Sequence, residues 1–264
     1  IDKYPVPQNV IANLQYAYKI ITFSQFGQKS LEEKGFTSTL IVEGIDTEIF
    51  KPMDKQEMRK KFGLPPNVFL VGMIGANKEN PPRKGYQEAI EAFKLFHDKH
   101  PDSAMFFHTQ QITPGGFPIK ALFQELGMIE ACFFMNDYIG SFNSRSHNIA
   151  QEINCFDILL HPSQTEGFGL TCVEAMSCGI PVIVNNTTSM PEMVIDGVTG
   201  AICEASVRGR YTNDLSYVYP ADVQSLYEKM ETVYKMVKEK GPETAKACRD
   251  HVVANYNIDT LFKE

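Results

Sequence analysis

One stretch near the middle of the chain constrains the fold most, because it alternates short apolar runs with a glycine loop. It covers 158–184 and reads ILLHPSQTEGFGLTCVEAMSCGIPVIV. A buried strand is predicted over 158–160, since this apolar run ends in a proline loop. A helix is predicted over 170–177. Pro181 prevents this helix from continuing, and the next strand is predicted at 182–184. The order strand, glycine loop, helix, strand is typical of a parallel sheet.

The glycine loop before this predicted helix is suited to binding an anion. The N–H groups of Gly169, Leu170 and Thr171 are expected at the helix N-terminus, where they lack helical partners. Glycine leaves room for a phosphate to approach the backbone. Glu166 and Glu174, with seven residues between them, flank this position, and carboxylates accept hydrogen bonds from sugar hydroxyls. The residues therefore indicate a site for a nucleotide diphosphate that carries a sugar.

The spacing of these two carboxylates also carries a family resemblance. Glu166 to Glu174 reads EGFGLTCVE and is followed by Ala-Met and by Gly-Ile-Pro-Val. This pattern resembles the E-x7-E signature of retaining glycosyltransferases of the GT4 type, which have the GT-B fold. The resemblance implies sugar transfer from a nucleotide diphosphate sugar, with retention of configuration and without a metal or other cofactor. Glu166 would hold the donor sugar and Glu174 the ribose. If the resemblance does not hold, Glu166 is a solvated loop residue and Glu174 is a carboxylate stabilised by the helix dipole.

A second loop, which follows a fully apolar predicted strand at 68–74, carries Lys78, Arg83 and Lys84. Lys84 and the glycine after it match the Lys-Gly pair of the family, whose lysine neutralises the donor diphosphate. The arginine that the family has early in this loop is absent, so Lys78 or Arg83 substitutes for it or the contact is lost. Without the resemblance, the segment is a solvated basic loop.

The resemblance also places the nucleotide base against the polar and aromatic segment 136–146, where Tyr138 and Ile139 are the candidates. The predicted donor-binding residues are Lys78, Arg83, Lys84, Tyr138, Ile139, Gly167, Phe168, Gly169, Leu170, Thr171 and Glu174, and the predicted catalytic residues are Glu166 and Lys84. His108 lies near the end of a predicted strand, but a lone histidine there is more often structural, so it stays outside the set.

The repeated order of strands and helices predicts an α/β fold with a doubly wound, Rossmann-like parallel sheet. The resemblance identifies it as the C-terminal, nucleotide-sugar-binding half of a GT-B fold. Residues 1–45 are predicted to be the tail of the N-terminal acceptor domain and the interdomain crossing, and 46–264 the donor-binding domain. Glu43 stands where the family usually has Asn. Because the chain begins with Ile1, we expect a fragment that transfers little sugar alone. The segment 204–219 has no assignment.

Composition limits the partners. The net charge of −7 argues against a nucleic-acid surface. No apolar run is long enough to cross a bilayer and no signal peptide is visible, and the six cysteines lack metal-binding spacing. A cytoplasmic protein with reduced thiols is predicted. The expected partners are a nucleotide-sugar donor and a carbohydrate, lipid-linked or protein acceptor, with peripheral membrane contact through the rest of the N-terminal domain.

Two other functions stay open from the sequence. The first is a nucleotide-sugar-binding module without transferase activity, which the absent arginine favours. The second is a GT-B nucleotide-sugar epimerase, which the presence of Glu174 disfavours. The base, the sugar and the acceptor are not determined by the sequence.

Overall fold

The structure is a computed structural model that describes residues 1–79, 82–135, 146–206, 209–210 and 214–261. Its strands are β1 (Ile21–Thr22), β2 (Thr39–Leu40), β3 (Phe69–Ile74), β4 (Ser103–His108), β5 (Cys132–Phe134), β6 (Ile158–His161), β7 (Val182–Asn185), β8 (Gly200–Cys203), β9 (Gly209–Arg210) and β10 (Tyr217–Val218). Its helices are α1 (Gln8–Leu14), α2 (Gln25–Glu32), α3 (Lys55–Lys61), α4 (Tyr86–Lys99), α5 (Ile119–Glu125), α6 (Ser146–Ile153), α7 (Leu170–Ser177), α8 (Val223–Asn255) and α9 (Ile258–Leu261).

Six strands form one parallel sheet in the order β5-β4-β3-β6-β7-β8. The predicted fold class is confirmed, since this order is that of a doubly wound, Rossmann-like sheet. The strand order reverses between β3 and β6, and ligands of such sheets bind outside the carboxyl ends of the strands at this switch point. The two loops that carry the predicted site residues follow β3 and β6.

The sheet is buried because its strands are almost entirely apolar. Every residue of β3, β4, β6 and β7 is buried, as expected for parallel strands covered on both faces. On one face, Tyr234 of α8 packs edge-on against Phe69 and Phe96, with ring centroids 4.8 and 5.5 Å away. Helix α8 is interrupted at Lys240, just before Pro242. The core thus holds the carboxyl ends of β3 and β6 in fixed positions.

An acidic residue before β6 ties this strand to its surroundings. Asp157 accepts hydrogen bonds from the backbone N–H of Leu70 and from Arg59 Nη2, both at 2.7 Å, and pairs with Lys55 at 2.6 Å. Arg59 is buried and also donates to the carbonyl of Cys155 at 2.9 Å. The buried arginine is therefore paired, as charge burial requires.

The first 45 residues form a small layer of their own, whose two-stranded sheet is separate from the main sheet. Strands β1 and β2 pair in parallel over two residues each. Ile45 connects this layer to the end of the chain, since its N–H donates to the Tyr256 carbonyl and its carbonyl accepts from the N–H of Ile258. The domain boundary at residue 45 stays a prediction.

The segment that the sequence left without assignment contains the antiparallel pair β9 and β10. Its contacts are tertiary: Tyr217 N–H donates to the Tyr4 carbonyl at 2.8 Å, and Lys3 pairs with Asp214 at 2.6 Å. The Arg210 guanidinium lies 4.2 Å from the Tyr217 ring centroid. No helix in the described part of the chain is long and apolar enough to cross a membrane.

Candidate functional site

The loops after β3 and β6 lie directly against each other. Gly85 adopts φ +72°, and a Cβ at this position would lie 2.3 Å from the Pro162 carbonyl oxygen, so only glycine permits this approach. The Gln164 N–H donates to the Arg83 carbonyl at 2.8 Å, and Arg83 Nη1 donates to the Thr165 carbonyl at 2.6 Å. These contacts bring the cations of the first loop to the second loop.

Glu166 is the centre of a cluster of charged and polar side chains. Its Oε1 accepts from Lys84 Nζ in a short ion pair, lies 3.2 Å from His161 Nε2 and lies 3.6 Å from Arg83 Nη1. Glu166 and Lys84 are mostly buried, and His161 is almost completely so. The structure thus brings together Glu166, Lys84 and Arg83, which the sequence predicted to share a site, and adds His161.

The charges in this cluster follow from burial and from the two cations. Burial opposes ionisation of Glu166, but the hydrogen bond from His161 and the positive charges of Lys84 and Arg83 hold the Glu166 pKa well below its ordinary value. Burial lowers the pKa of His161, so its imidazole is neutral at pH 7. Because an ionised carboxylate only accepts hydrogen bonds, His161 must carry its proton on Nε2 and donate it.

The N-terminus of α7 adjoins this cluster. Gly169 precedes the helix with φ +115°, and a Cβ there would lie 2.5 Å from Met193 Cε. No side chain caps the helix, so the N–H groups of its first turn lack side-chain acceptors and the positive end of its dipole is available to an anion. A cavity of about 350 Å³ lies at this point. It is lined by Phe23, Glu43, Lys84, His161, Glu166, Gly167, Phe168, Gly169, Leu170 and Thr171.

Several predicted residues lie elsewhere or contribute differently. Lys78 is exposed and forms no ion pair with any residue that the structure describes, whereas Arg83 takes the position next to Lys84. The Phe168 ring is buried and packs edge-on against Tyr256, with centroids 5.9 Å apart, so the ring belongs to the core. Tyr138 and Ile139 lie outside the described residues.

Glu174 is half-buried on α7 and does not line this cavity. Burial raises its pKa to about 7, although the nearby charge of His108 acts in the opposite direction. His108 itself is hydrogen-bonded to the buried Glu152 through Nδ1 and Oε2 at 2.6 Å. Glu174 therefore lies outside the cavity lining, in surroundings that disfavour its ionised form.

Sequence reasoning missed the residues that complete the site from other segments. Glu43 and Phe23 reach the cavity from the first 45 residues, and burial raises the pKa of Glu43. Thr188 Oγ1 accepts from the Glu166 N–H at 3.0 Å, and Ser189 Oγ donates to the Glu166 carbonyl at 2.9 Å. The presence of Glu43 where the family usually has Asn was a signal of the site that the sequence contained. The hydroxyl contacts of Thr188 and Ser189 depend on tertiary packing and left no such signal.

The structure offers anion-binding donors and cations rather than a metal-binding cluster. Within the described ranges, no group of three or more His, Cys, Asp or Glu side chains is arranged to hold a metal ion. Lys84, the α7 N-terminus and the Glu166 carboxylate line one cavity at the carboxyl edge of a parallel sheet, and Arg83 Nη1 lies 3.6 Å from that carboxylate. This arrangement can bind a phosphate group beside hydroxyl groups.

Comparison with known proteins identifies the family of the chain. The family profile described as "Glycosyl transferases group 1" matches residues 54–219, and the chain belongs to this family. The D-inositol 3-phosphate glycosyltransferase of Mycolicibacterium gilvum (strain PYR-GCK) is 31% identical over 180 residues, which cover 68% of this chain and 38% of that protein. The chain thus spans well under two thirds of the length of this curated relative.

Solved structures show the same fold. The sucrose-phosphate synthase of Thermosynechococcus elongatus superposes with a TM-score of 0.75 at 21% identity, over 95% of this chain and 57% of that chain. The Anabaena protein HepE, solved in complex with UDP-glucose, superposes with a TM-score of 0.71 at 22% identity, over 96% of this chain and 64% of that chain. The predicted membership of the GT-B glycosyltransferases is confirmed by the family profile and these folds.

Proposed function

We propose that this chain binds the nucleotide diphosphate sugar of a glycosyltransferase that transfers the sugar to an acceptor with retention of configuration. The observation that carries the proposal is the convergence of Lys84, Glu166 and the α7 N-terminus on one cavity, with Arg83 3.6 Å from the Glu166 carboxylate. The family membership supports it, since all of these residues lie within the matched range 54–219.

The proposed roles follow from charge. Lys84, Arg83 and the α7 N-terminus bind the diphosphate and stabilise the negative charge that grows on it as its bond to the sugar breaks. A diphosphate that binds Lys84 competes with Glu166 for this cation, and the released carboxylate then accepts hydrogen bonds from the sugar hydroxyls. Glu174 accepts from the ribose. These side-chain cations supply the positive charge that the leaving group needs, so we propose a metal-independent reaction.

The acceptor and the compartment are part of the same proposal. The relative from Mycolicibacterium gilvum is named for a small phosphorylated acceptor, D-inositol 3-phosphate, and carbohydrate, lipid-linked and protein acceptors are the classes expected here. The six free cysteines, five of them buried, support a reducing compartment such as the cytoplasm.

Calorimetric titration tests the donor site directly. The chain would be titrated with UDP-glucose, the ligand in the HepE structure, and with GDP-mannose and ADP-glucose. We expect one of these to bind, and Lys84→Ala to weaken its binding by about tenfold or more because a charge-assisted contact to phosphate is lost. Lys78→Ala is the matched control, since this exposed lysine is unpaired among the described residues, and it should bind like the wild type.

Two results would contradict the proposal. The first is that none of the three nucleotide sugars binds. The second is that Lys78→Ala weakens binding as much as Lys84→Ala, which would mean that the basic loop attracts anions in general. Because the chain spans only part of its relatives, we expect binding by this chain with little transfer to an acceptor.

A further inference from the structure

A contact joins the segment after β7 to the N-terminus of α2. The Glu192 carboxylate accepts two backbone hydrogen bonds, from Gln25 N–H to Oε2 at 2.8 Å and from Phe26 N–H to Oε1 at 2.7 Å. The Ser24 hydroxyl accepts from the Gly27 N–H at 3.1 Å. Helix α2 has no acidic residue in its own first turn, so Glu192 supplies the negative charge that stabilises a helix N-terminus.

The same segment holds the Glu166 loop at its other end. Thr188 Oγ1 accepts from the Glu166 N–H at 3.0 Å. Ser189 Oγ lies 2.9 Å from the Glu166 carbonyl and 3.0 Å from the Phe168 carbonyl, and donates to them. Residues 188–192 therefore connect the N-terminus of α2 to the backbone N–H and the backbone carbonyl of Glu166.

A displacement at one end of residues 188–192 is passed to the other end, because this segment is packed and conformationally restricted. Met190 and Met193 are buried, and His251 Nε2 lies 2.9 Å from the Met193 carbonyl. Thr188 adopts φ +49°, a conformation that a β-branched residue holds only where the surrounding structure imposes it. A displacement at Glu192 would thus reach Glu166 through a short segment with little freedom to absorb it.

We propose that Glu192 is a positioning residue: by attaching residues 188–192 to α2, it fixes the Glu166 loop in the geometry that binds the donor sugar. This inference rests on the proposed function for its consequence, but the attachment itself does not. If Glu192 acts in this way, donor binding at the Glu166 loop depends on the position of α2, which belongs to the first 45 residues.

Two substitutions remove the contact from its two sides. Glu192→Gln removes the charge with little change in shape. Gln25→Pro removes one donor N–H without breaking α2, because proline is tolerated at the first helical position and Ser24 has φ −143° and ψ 154°, which suit a residue before proline. Glu33→Gln is the matched control, since it removes a carboxylate from the residue that follows α2 and leaves the N-terminus of the helix unchanged.

Hydrogen exchange at the Glu166 amide gives a readout that needs no ligand. We expect Glu192→Gln and Gln25→Pro each to accelerate this exchange by about tenfold, with exchange in β3 and β4 unchanged. The double variant should be no faster than the faster single variant, because both changes remove one interaction. Glu33→Gln should exchange like the wild type.

Donor affinity gives the second readout. For whichever of UDP-glucose, GDP-mannose and ADP-glucose the wild type binds most tightly, we expect both variants to weaken binding by about threefold to tenfold. Unchanged Glu166 exchange in both variants would overturn the proposal, and so would equal acceleration throughout β3 and β4, which would assign Glu192 to general stability. If the wild type binds none of the three probes, the proposed function fails, while the exchange measurement still decides the positioning role.

Discussion

At the scale of single residues, the two groups that the proposed reaction needs most, Glu166 and Lys84, bind each other. A diphosphate therefore gains Lys84 only at the expense of this ion pair. Its binding releases a carboxylate that accepts hydrogen bonds from hydroxyl groups. Binding of the phosphate and binding of the sugar are thus coupled, because the diphosphate replaces Glu166 as the partner of Lys84.

This coupling predicts an unusual effect of Glu166→Gln. We expect the variant to bind UDP about threefold to tenfold more tightly than the wild type, because the competing charge is gone and a partly buried ion pair contributes on the order of 1 kcal/mol. It should also lose the additional affinity that the sugar of UDP-glucose provides. Titration with both ligands measures the two effects. Glu79→Gln, which removes a more exposed partner of Arg83 at 3.4 Å, should change neither. Weaker UDP binding by Glu166→Gln would contradict the proposed competition between the diphosphate and Glu166 for Lys84.

Glu174 predicts a dependence of stability on pH. Burial raises its pKa from 4.5 to about 7 in the folded chain, so the folded state retains a proton that the unfolded state releases. The free energy of unfolding should therefore decrease as pH rises from about 4.5 to 7, by up to about 1.4 kcal/mol per pH unit from this group. Glu174→Gln should remove this contribution and be more stable than the wild type at pH 8, but not at pH 4. Urea unfolding at both values measures the difference, and parallel pH curves for the two proteins would contradict the assignment.

At the scale of elements, the sequence predicted the sheet and its ligand edge because the buried strands are short apolar runs, and those that lead into the two site loops end in glycine or proline segments. The two-residue pair β9–β10 was harder to predict, since its contacts, such as that of Tyr217 with Tyr4, are tertiary and do not follow from local pattern. The same holds for the site. The sequence placed Glu166 and Lys84 at one edge, but the His161 hydrogen bond and the Thr188 contact depend on tertiary packing.

The close approach of the loops after β3 and β6 depends on one glycine. In Gly85→Ala, the new Cβ would meet the Pro162 carbonyl oxygen at 2.3 Å in a backbone conformation with φ +72°. We expect a loss of about 2–4 kcal/mol of stability, and weaker UDP binding because Arg83 and Lys84 move away from Glu166. Gly63→Ala is the matched control, since Gly63 has φ +65° but no atom lies within 4 Å of the point that its Cβ would occupy, and it should cost only about 1 kcal/mol. Equal losses in the two variants would show that backbone strain, rather than the contact between loops, is responsible.

At the scale of the whole molecule, the cavity is built from two parts of the chain that are distant in sequence. Phe23 and Glu43 come from the small layer formed by the first 45 residues, and the remaining lining comes from the two loops at the edge of the main sheet. The Glu192 contact with α2 holds these parts in one arrangement. Donor binding in the proposed reaction is therefore linked by geometry to the placement of the first 45 residues.

The last prediction concerns Lys84 in a full-length transferase that contains these residues. Lys84 adjoins both the α7 N-terminus and Glu166, so its charge and the helix dipole act on the same leaving group. Negative charge on the diphosphate increases as the glycosidic bond breaks, and the cation should therefore contribute more in the transition state than in the ground state. We expect Lys84→Ala to lower kcat by on the order of 10²-fold, with a smaller change in the donor KM. Steady-state kinetics with the donor identified by titration measures both constants. A change in KM alone would assign Lys84 to uniform binding, and wild-type kinetics would leave Arg83 as the cation that stabilises the leaving group.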